Sequence, residues 1–209
     1  INRAGGELDD LTTNRHTAAL DPKEGPQRIF SPAGTPAQHY AQFGWVGDNL
    51  AVPNAATVWT APAGAKLTPQ TPVTLSWNNG AGVTFTLTYA IDADYMLTVT
   101  QGVSNAGAAP VAVKPVAQIN RTDKTAAIDS FNVHAGPFGA FDEVVSFGPD
   151  YDELAEARTT AMDGAPNWIG FTDIYWMSTL IPEKAGASAD FRALSKGVFI
   201  ANLFYPEVG

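Results

Sequence analysis

An all-β fold of mainly antiparallel strands, with at most one or two short helices, follows from three observations in the 209-residue sequence. Fifteen prolines and nineteen glycines are spread along the whole chain, so turn signals recur about every 8–15 residues, the spacing of a sandwich or barrel. Between Val83 and Ile91 the side chains alternate, with Val83, Phe85, Leu87, Tyr89 and Ile91 on one face and Thr84, Thr86, Thr88 and Ala90 on the other. That period of two is the mark of a strand with one buried face. Charged residues make up only 16% of the chain, against roughly 25% in ordinary soluble domains. Strands whose outer faces carry Thr, Ser and Ala account for the deficit.

Taken in order, Glu7–Leu11, Gln27–Phe30 and Ala41–Val46 are predicted as strands, with long loops at Thr12–Pro26 and Asn49–Pro72. The second loop has room for a strand around Val58-Trp59. Val73–Trp77 runs into Asn78-Asn79-Gly80, where Asn and Gly tolerate positive φ and so predict a tight turn into Val83–Ile91. Asp92-Ala93-Asp94 then turns the chain into Tyr95–Ser104, and the small residues Asn105–Pro110 lead to Val111–Asn120. These four strands are expected to form an antiparallel meander. Phe131–His134, Ala140–Phe147, Trp168–Ile181 (bent or paired with itself), Ala189–Leu194 and Val198–Phe204 are further strands. Tyr151–Ala157 is the helix, with Asp150 as N-cap and acidic residues in its first turn. No composition shift or internal repeat divides the chain, so one domain over residues 1–209 is expected.

The formal charge of −9 and the lack of any Lys/Arg cluster argue against nucleic-acid partners and against adhesion to an anionic bilayer. Cysteine is absent, which removes disulfides, thiolate zinc sites and Cys nucleophiles together. The sequence shows neither a signal peptide nor a membrane-spanning run. Its abrupt start at Ile1 and its end at Gly209, after a strand-like run, read as a piece cut from a longer chain.

The stretch Pro166–Pro182 is the most apolar and aromatic, with Asp173 its single charge. A bilayer-spanning helix needs about 20 apolar residues, so this run is too short, and its Trp, Tyr, Phe, Ile and Thr suit strands. As one strand it would place Trp168, Gly170, Thr172, Ile174 and Trp176 on one side, and Ile169, Phe171, Asp173, Tyr175 and Met177 on the other. Burial of both faces is the favoured reading. The functional alternative is an exposed aromatic surface for an extended polypeptide, with Trp168, Phe171, Tyr175 and Trp176 as the contact residues.

Chemical motifs are sparse. His16, His39 and His134 lie far apart in sequence, and no metal site is expected from them. Asp92 and Asp94 read as turn caps. Gly80-Ala81-Gly82 is followed by a strand rather than the helix a phosphate loop requires. Asp150-Tyr151-Asp152 lacks the Gly and distal Glu of a calcium loop. There is no G-x-S-x-G elbow to anchor a serine hydrolase. Asp142 and Glu143, placed on a strand, would point to opposite faces and not act as a pair.

Several blocks resemble a known family. Ile1–Leu11 (INRAGGELDDL), Phe30–Gly47, Leu67–Asn105, Phe131–Asp142 (FNVHAGPFGAFD) and Asn167–Pro182 (NWIGFTDIYWMSTLIP) are similar, in series, to the large periplasmic domain of YidC-type membrane protein insertases in its alphaproteobacterial form. The resemblance implies a β-supersandwich, a fold shared with galactose-mutarotase-like proteins. It places the domain on the periplasmic side of the bacterial inner membrane, after a first transmembrane helix. The insertase's five core helices, and the membrane attachment, would lie outside this chain. The family continues past this point with a further strand and a helical segment, so the domain is expected to be truncated at its C-terminal end.

By the same resemblance the domain is non-catalytic, takes no cofactor, and contacts nascent membrane proteins and accessory subunits of the Sec translocon. A different class of function, a carbohydrate-binding or mutarotase-like protein, rests on fold analogy alone. Its site would draw on His39, His134 and Glu143 with a nearby Trp.

Overall fold

The structure, a computed structural model, describes residues 1–18, 22–123, 134–173, 175–194 and 197–209. Its strands are β1 (Leu11–Thr17), β2 (Pro26–Phe30), β3 (His39–Val46), β4 (Val73–Asn78), β5 (Val83–Ile91), β6 (Leu97–Asn105) and β7 (Lys114–Thr122), then β8 (Gly136–Phe141), β9 (Val144–Ser146), β10 (Thr159–Met162), β11 (Pro166–Thr172), β12 (Met177–Leu180), β13 (Ser188–Leu194) and β14 (Val198–Phe204). Among the described residues helix comprises a 3-10 turn at Pro22–Glu24, a 3-10 position at Asp123 and α1 (Tyr151–Ala157). The all-β, antiparallel expectation is met.

The sheets run β1-β2, β10-β13-β14-β7-β3, β12-β11-β8-β9 and β4-β5-β6. Contacts divide the chain into two compact units, one of Ile1–Glu7, Phe43–Val116 and Pro206–Gly209, the other of Leu8–Gln42 and Ala117–Tyr205.

In the first unit β5 is the middle strand, and its burial alternates as its sequence does, with Val83, Phe85, Leu87 and Tyr89 buried and the threonines between them half-exposed. The ring of Phe85 lies 5.0 Å from that of Trp45 and 5.9 Å from that of Trp77. Trp59, fully buried, stands 6.3 Å from Trp45. The Tyr89 hydroxyl donates to the Gly6 carbonyl. Gly6 has φ +67°, and a Cβ there would come within 2.8 Å of Leu87 Cδ1 and 3.0 Å of Trp59 Nε1. Only glycine fits.

The turns of this unit are held by their own side chains. Asn78 Oδ1 accepts from Gly80 N–H, and Asn79 Oδ1 accepts from the N–H groups of Ala81 and Val83. Asp92 Oδ1 accepts from the N–H groups of Asp94 and Met96, which is the turn-capping role the sequence assigns it.

In the second unit β11 lies between β8 and β12. Ile169 and Phe171 are fully buried, and Phe171 meets Phe191 of β13 with ring centres 6.2 Å apart. Tyr151, the first residue of α1, packs 4.5 Å from Phe199. The helix starts where expected: Asp150 accepts from Glu153 N–H at 2.8 Å, and Glu153 returns the bond to Asp150 N–H at 3.1 Å, a reciprocal capping box.

Several expectations need correction. The meander has three strands rather than four, because β7 leaves it to lie between β14 and β3. The Thr12–Pro26 segment is not all loop, since β1 pairs with β2 there. Glu7 and Leu8 make isolated bridges, and the strand begins at Leu11. Ala140–Phe147 is a hairpin, not one strand. Phe141 pairs with Val144, and Asp142 and Glu143 form the two-residue turn with φ of 49° and 67°, the doubly left-handed geometry such turns require. Those carboxylates therefore sit in a turn and not on a strand, so the alternation argument does not apply to them. Val58 makes a single bridge to Ala4. The predicted strand at 131–134 lies outside the described residues except for His134.

Candidate functional site

Pro166–Pro182 folds back on itself. Ile169 to Thr172 of β11 pair with Leu180 to Met177 of β12, and Asp173 N–H donates to the Trp176 carbonyl at 2.7 Å to close the turn. The strands come unusually close at Gly170, where a Cβ would lie 1.9 Å from the Ser178 carbonyl oxygen. The strand alternation expected across the run therefore stops at Thr172, and Ile174 lies outside the described residues.

This hairpin forms one wall of a cleft of about 270 Å³ within the second unit. Gln27, Arg28 and Ile29 of β2, with Ser31 after it, supply another wall, and His39 of β3 and Arg121 of β7 complete it with Asp173, Trp176, Met177 and Ser178. The β-bridge between Ser31 and His39, with N–H···O distances of 2.8 and 3.0 Å, fixes the entry to β3.

Electrostatically the cleft is dominated by one ion pair. Arg121 has a side chain only 1% exposed and donates through a terminal guanidinium nitrogen to Asp173 Oδ2 at 2.5 Å; the Asp173 side chain is 20% exposed. The other terminal nitrogen reaches the Thr172 carbonyl at 3.5 Å. A cation this buried needs its carboxylate.

His39, itself buried, is hydrogen-bonded through Nε2 to Ser178 Oγ at 2.7 Å, and its ring meets Phe30 edge-on at 4.9 Å. Burial, and secondarily the nearby Arg121 cation, push its pKa down to about 3, opposed by a hydrogen bond with the Ile29 backbone. The imidazole is thus neutral at neutral pH and a weak base. Tyr151 is pushed up to about 12 by burial, with Asp173 and Asp123 adding to the shift and Arg121 opposing it. The cleft offers hydrogen-bonding groups beside the apolar faces of Ile29, Trp176 and Met177, a surface suited to contact.

The four aromatic residues singled out from sequence do not share one surface. Phe171 is fully buried, whereas Tyr175 is 85% exposed. Trp168 is half-buried, 4.6 Å from the Phe138 ring. Trp176 lines the cleft and stacks edge-on with exposed His16 at 5.1 Å.

Of the residues considered for sugar chemistry, His39 alone lines the cleft. His134 Nε2 is bonded to the Pro137 carbonyl at 3.0 Å, and Glu143 sits in the β8–β9 turn, donating its N–H to Asn167 Oδ1. Among the described residues no cluster of three or more His, Asp or Glu is arranged to hold a metal ion. Sequence reasoning did not single out Arg121 or Ser178. Asp173, the single charge of its apolar run, was an available signal, whereas Arg121 sits beside Asp123 and Lys124 and carries none of its own.

Fold and cleft together define an antiparallel β-sheet protein with a cleft walled by the β11–β12 hairpin. A sequence model of the YidC periplasmic domain matches residues 1–208. The chain is 41% identical to the membrane protein insertase YidC of Ruegeria sp. (strain TM1040), over 94% of this chain and 34% of that protein. It is 38% identical to the insertase YidC of Zymomonas mobilis, over 93% of this chain and 34% of that protein, and 40% identical to that of Acidiphilium cryptum, over 88% and 33%. The chain belongs to the YidC periplasmic domain family. It spans about a third of the length of the curated relatives it matches.

Proposed function

We propose that this chain is the periplasmic contact module of an inner-membrane protein insertase, working as one domain over residues 1–209 and performing no bond chemistry of its own. Its partners are emerging membrane proteins and accessory subunits of the Sec translocon, and its attachment to the membrane lies in segments outside this chain. The observation that carries the reading is the match over residues 1–208, with relatives named membrane protein insertase at 41% and 38% identity.

The neutral, weakly basic His39 supports a contact role over acid–base catalysis. Within the domain, Trp168, Phe171, Tyr175 and Trp176 are proposed as the contact element, in two roles. Phe171 anchors the hairpin in the core, while Tyr175, together with exposed Met177 and Ile181, presents apolar surface to a partner.

Site-specific photocrosslinking in the full-length insertase tests this. A crosslinker at Tyr175 should capture nascent membrane proteins or translocon subunits, while one at Tyr95, also exposed, should capture neither. Equal capture at both positions, or none at Tyr175, defeats the assignment.

A further inference from the structure

The turn Asn78-Asn79-Gly80 between β4 and β5 carries chemistry that the contact role leaves unused. It holds the one Asn-Gly pair in the sequence. In such a pair the glycine nitrogen can attack the asparagine side chain, because no Cβ blocks its approach. Asn78 and Gly80 are exposed and Asn79 is half-buried, so solvent reaches the turn. None of the three lines the cleft.

Two features of the turn act in opposite directions. Asn79 Oδ1 accepts from the N–H groups of Ala81 at 2.8 Å and Val83 at 3.1 Å. These donors polarise the Asn79 carboxamide and face the oxygen that gains charge when its Cγ is attacked. Against this, the Gly80 N–H donates to Asn78 Oδ1 at 2.8 Å. The nitrogen must shed that proton before it attacks, and the acceptor oxygen sits where the negative charge would develop. Asn78 is itself oriented, since its Nδ2 donates to Thr84 Oγ1 at 2.8 Å across the β4–β5 pair.

We infer that Asn79 is a site of spontaneous deamidation, primed by the Ala81 and Val83 amides and held in check by the Asn78 side chain. The deprotonated Gly80 nitrogen bonds to Asn79 Cγ, the Cγ–Nδ2 bond breaks, and the side-chain nitrogen departs as ammonia with a proton drawn from solvent. Water then opens the resulting succinimide at either carbonyl. Opening at Cγ gives aspartate, whose Oδ1 still accepts from Ala81 and Val83. Opening at the main-chain carbonyl gives isoaspartate, which threads the chain through Cγ and lengthens the turn by a methylene group. That turn fixes the pairing of Asn78 with Thr84 and of Trp77 with Phe85, so the isoaspartate form loosens the meander. The reaction needs no bound partner and is independent of the contact role.

Peptide mapping by mass spectrometry, on the 209-residue chain incubated at mildly alkaline pH, tests it by following aspartate and isoaspartate at position 79. The folded parental chain should deamidate more slowly than the urea-unfolded chain. Asn78→Ala should raise the folded-state rate about fivefold, the worth of one hydrogen bond, with hydrogen exchange of the β5 amides unchanged. Equal rates in the folded and unfolded parental chain overturn the guard. So does a parental rate in Asn78→Ala, or a rise matched by equally faster β5 exchange. Should Asn78→Ala not fold, Thr84→Val, which removes the hydroxyl that orients Asn78, decides: a raised rate supports the guard, and a parental rate overturns it.

Discussion

β5 and the β11–β12 hairpin are both rich in aromatic and β-branched residues, yet they are stabilised by different means. β5 lies between its sequence neighbours β4 and β6, in continuous register from Val83↔Asn105 to Ile91↔Leu97 on one side and from Val73↔Tyr89 to Asn78↔Thr84 on the other. Side-chain alternation alone puts its large residues in the core. β11 pairs with β8, which lies far back along the chain and meets it across an irregular register near Pro166. Its partner β12 closes over a glycine, turns beside an ion pair and buries Ser178 and Leu180. A strand secured by local pairing tolerates polar neighbours, whereas one secured at a few points is sensitive at each of them.

The sharpest way to break this comparison is at the core of the meander. Leu87, fully buried at the centre of β5, should cost about 3–5 kcal/mol on truncation to Ala, read by urea unfolding of the 209-residue chain. A loss below about 1 kcal/mol would mean that β5 is not the organising strand.

Next come two glycines chosen as a pair. Gly170→Ala pushes a methyl into the Ser178 carbonyl oxygen, 1.9 Å away, and backbone cannot step aside, so a cost of about 3 kcal/mol is expected. Gly102→Ala in β6 meets the Thr86 Oγ1 at 2.5 Å, a side-chain atom that can rotate, and should stay within about 1 kcal/mol. Equal costs for the two would erase the distinction between a point-held and a ladder-held strand.

Asp173→Asn removes the carboxylate charge that the buried Arg121 guanidinium meets at 2.5 Å and should cost about 2–3 kcal/mol. Arg121→Met, which leaves a partly exposed carboxylate, should cost less, and a double-mutant cycle would measure the coupling. Smallest of all, Tyr175→Ala should change stability by no more than about 0.5 kcal/mol, because its ring is 85% exposed. A larger loss would show the hairpin tip to be structural rather than available to a partner.

Legibility in the sequence follows the same division. Strand β5, its flanking turns, the Asp150 cap of α1 and the pair β13–β14 are all evident from periodicity and turn chemistry, because each depends on residues close in sequence. β8 was harder to see. Gly136-Pro137-Phe138-Gly139 looks like a turn, yet every residue of the strand is buried between β9 and β11. β10 (Thr159–Met162) has no strand pattern of its own, and its order comes from pairing with β13. In the cleft, Trp176 and Asp173 were visible as an aromatic and a lone charge, but nothing local announced Arg121 or Ser178.

Taken alone, the amino-acid order determined the all-β class, most strand positions and the capped helix α1, since alternation, turn residues and caps act over a few neighbouring positions. The tertiary structure decided that β7 leaves the meander, that Asp142 and Glu143 occupy a turn, and that Arg121 meets Asp173 and His39 meets Ser178. Those outcomes depend on pairings between segments distant in sequence, where burial and close approach select the partner and no periodic pattern records it.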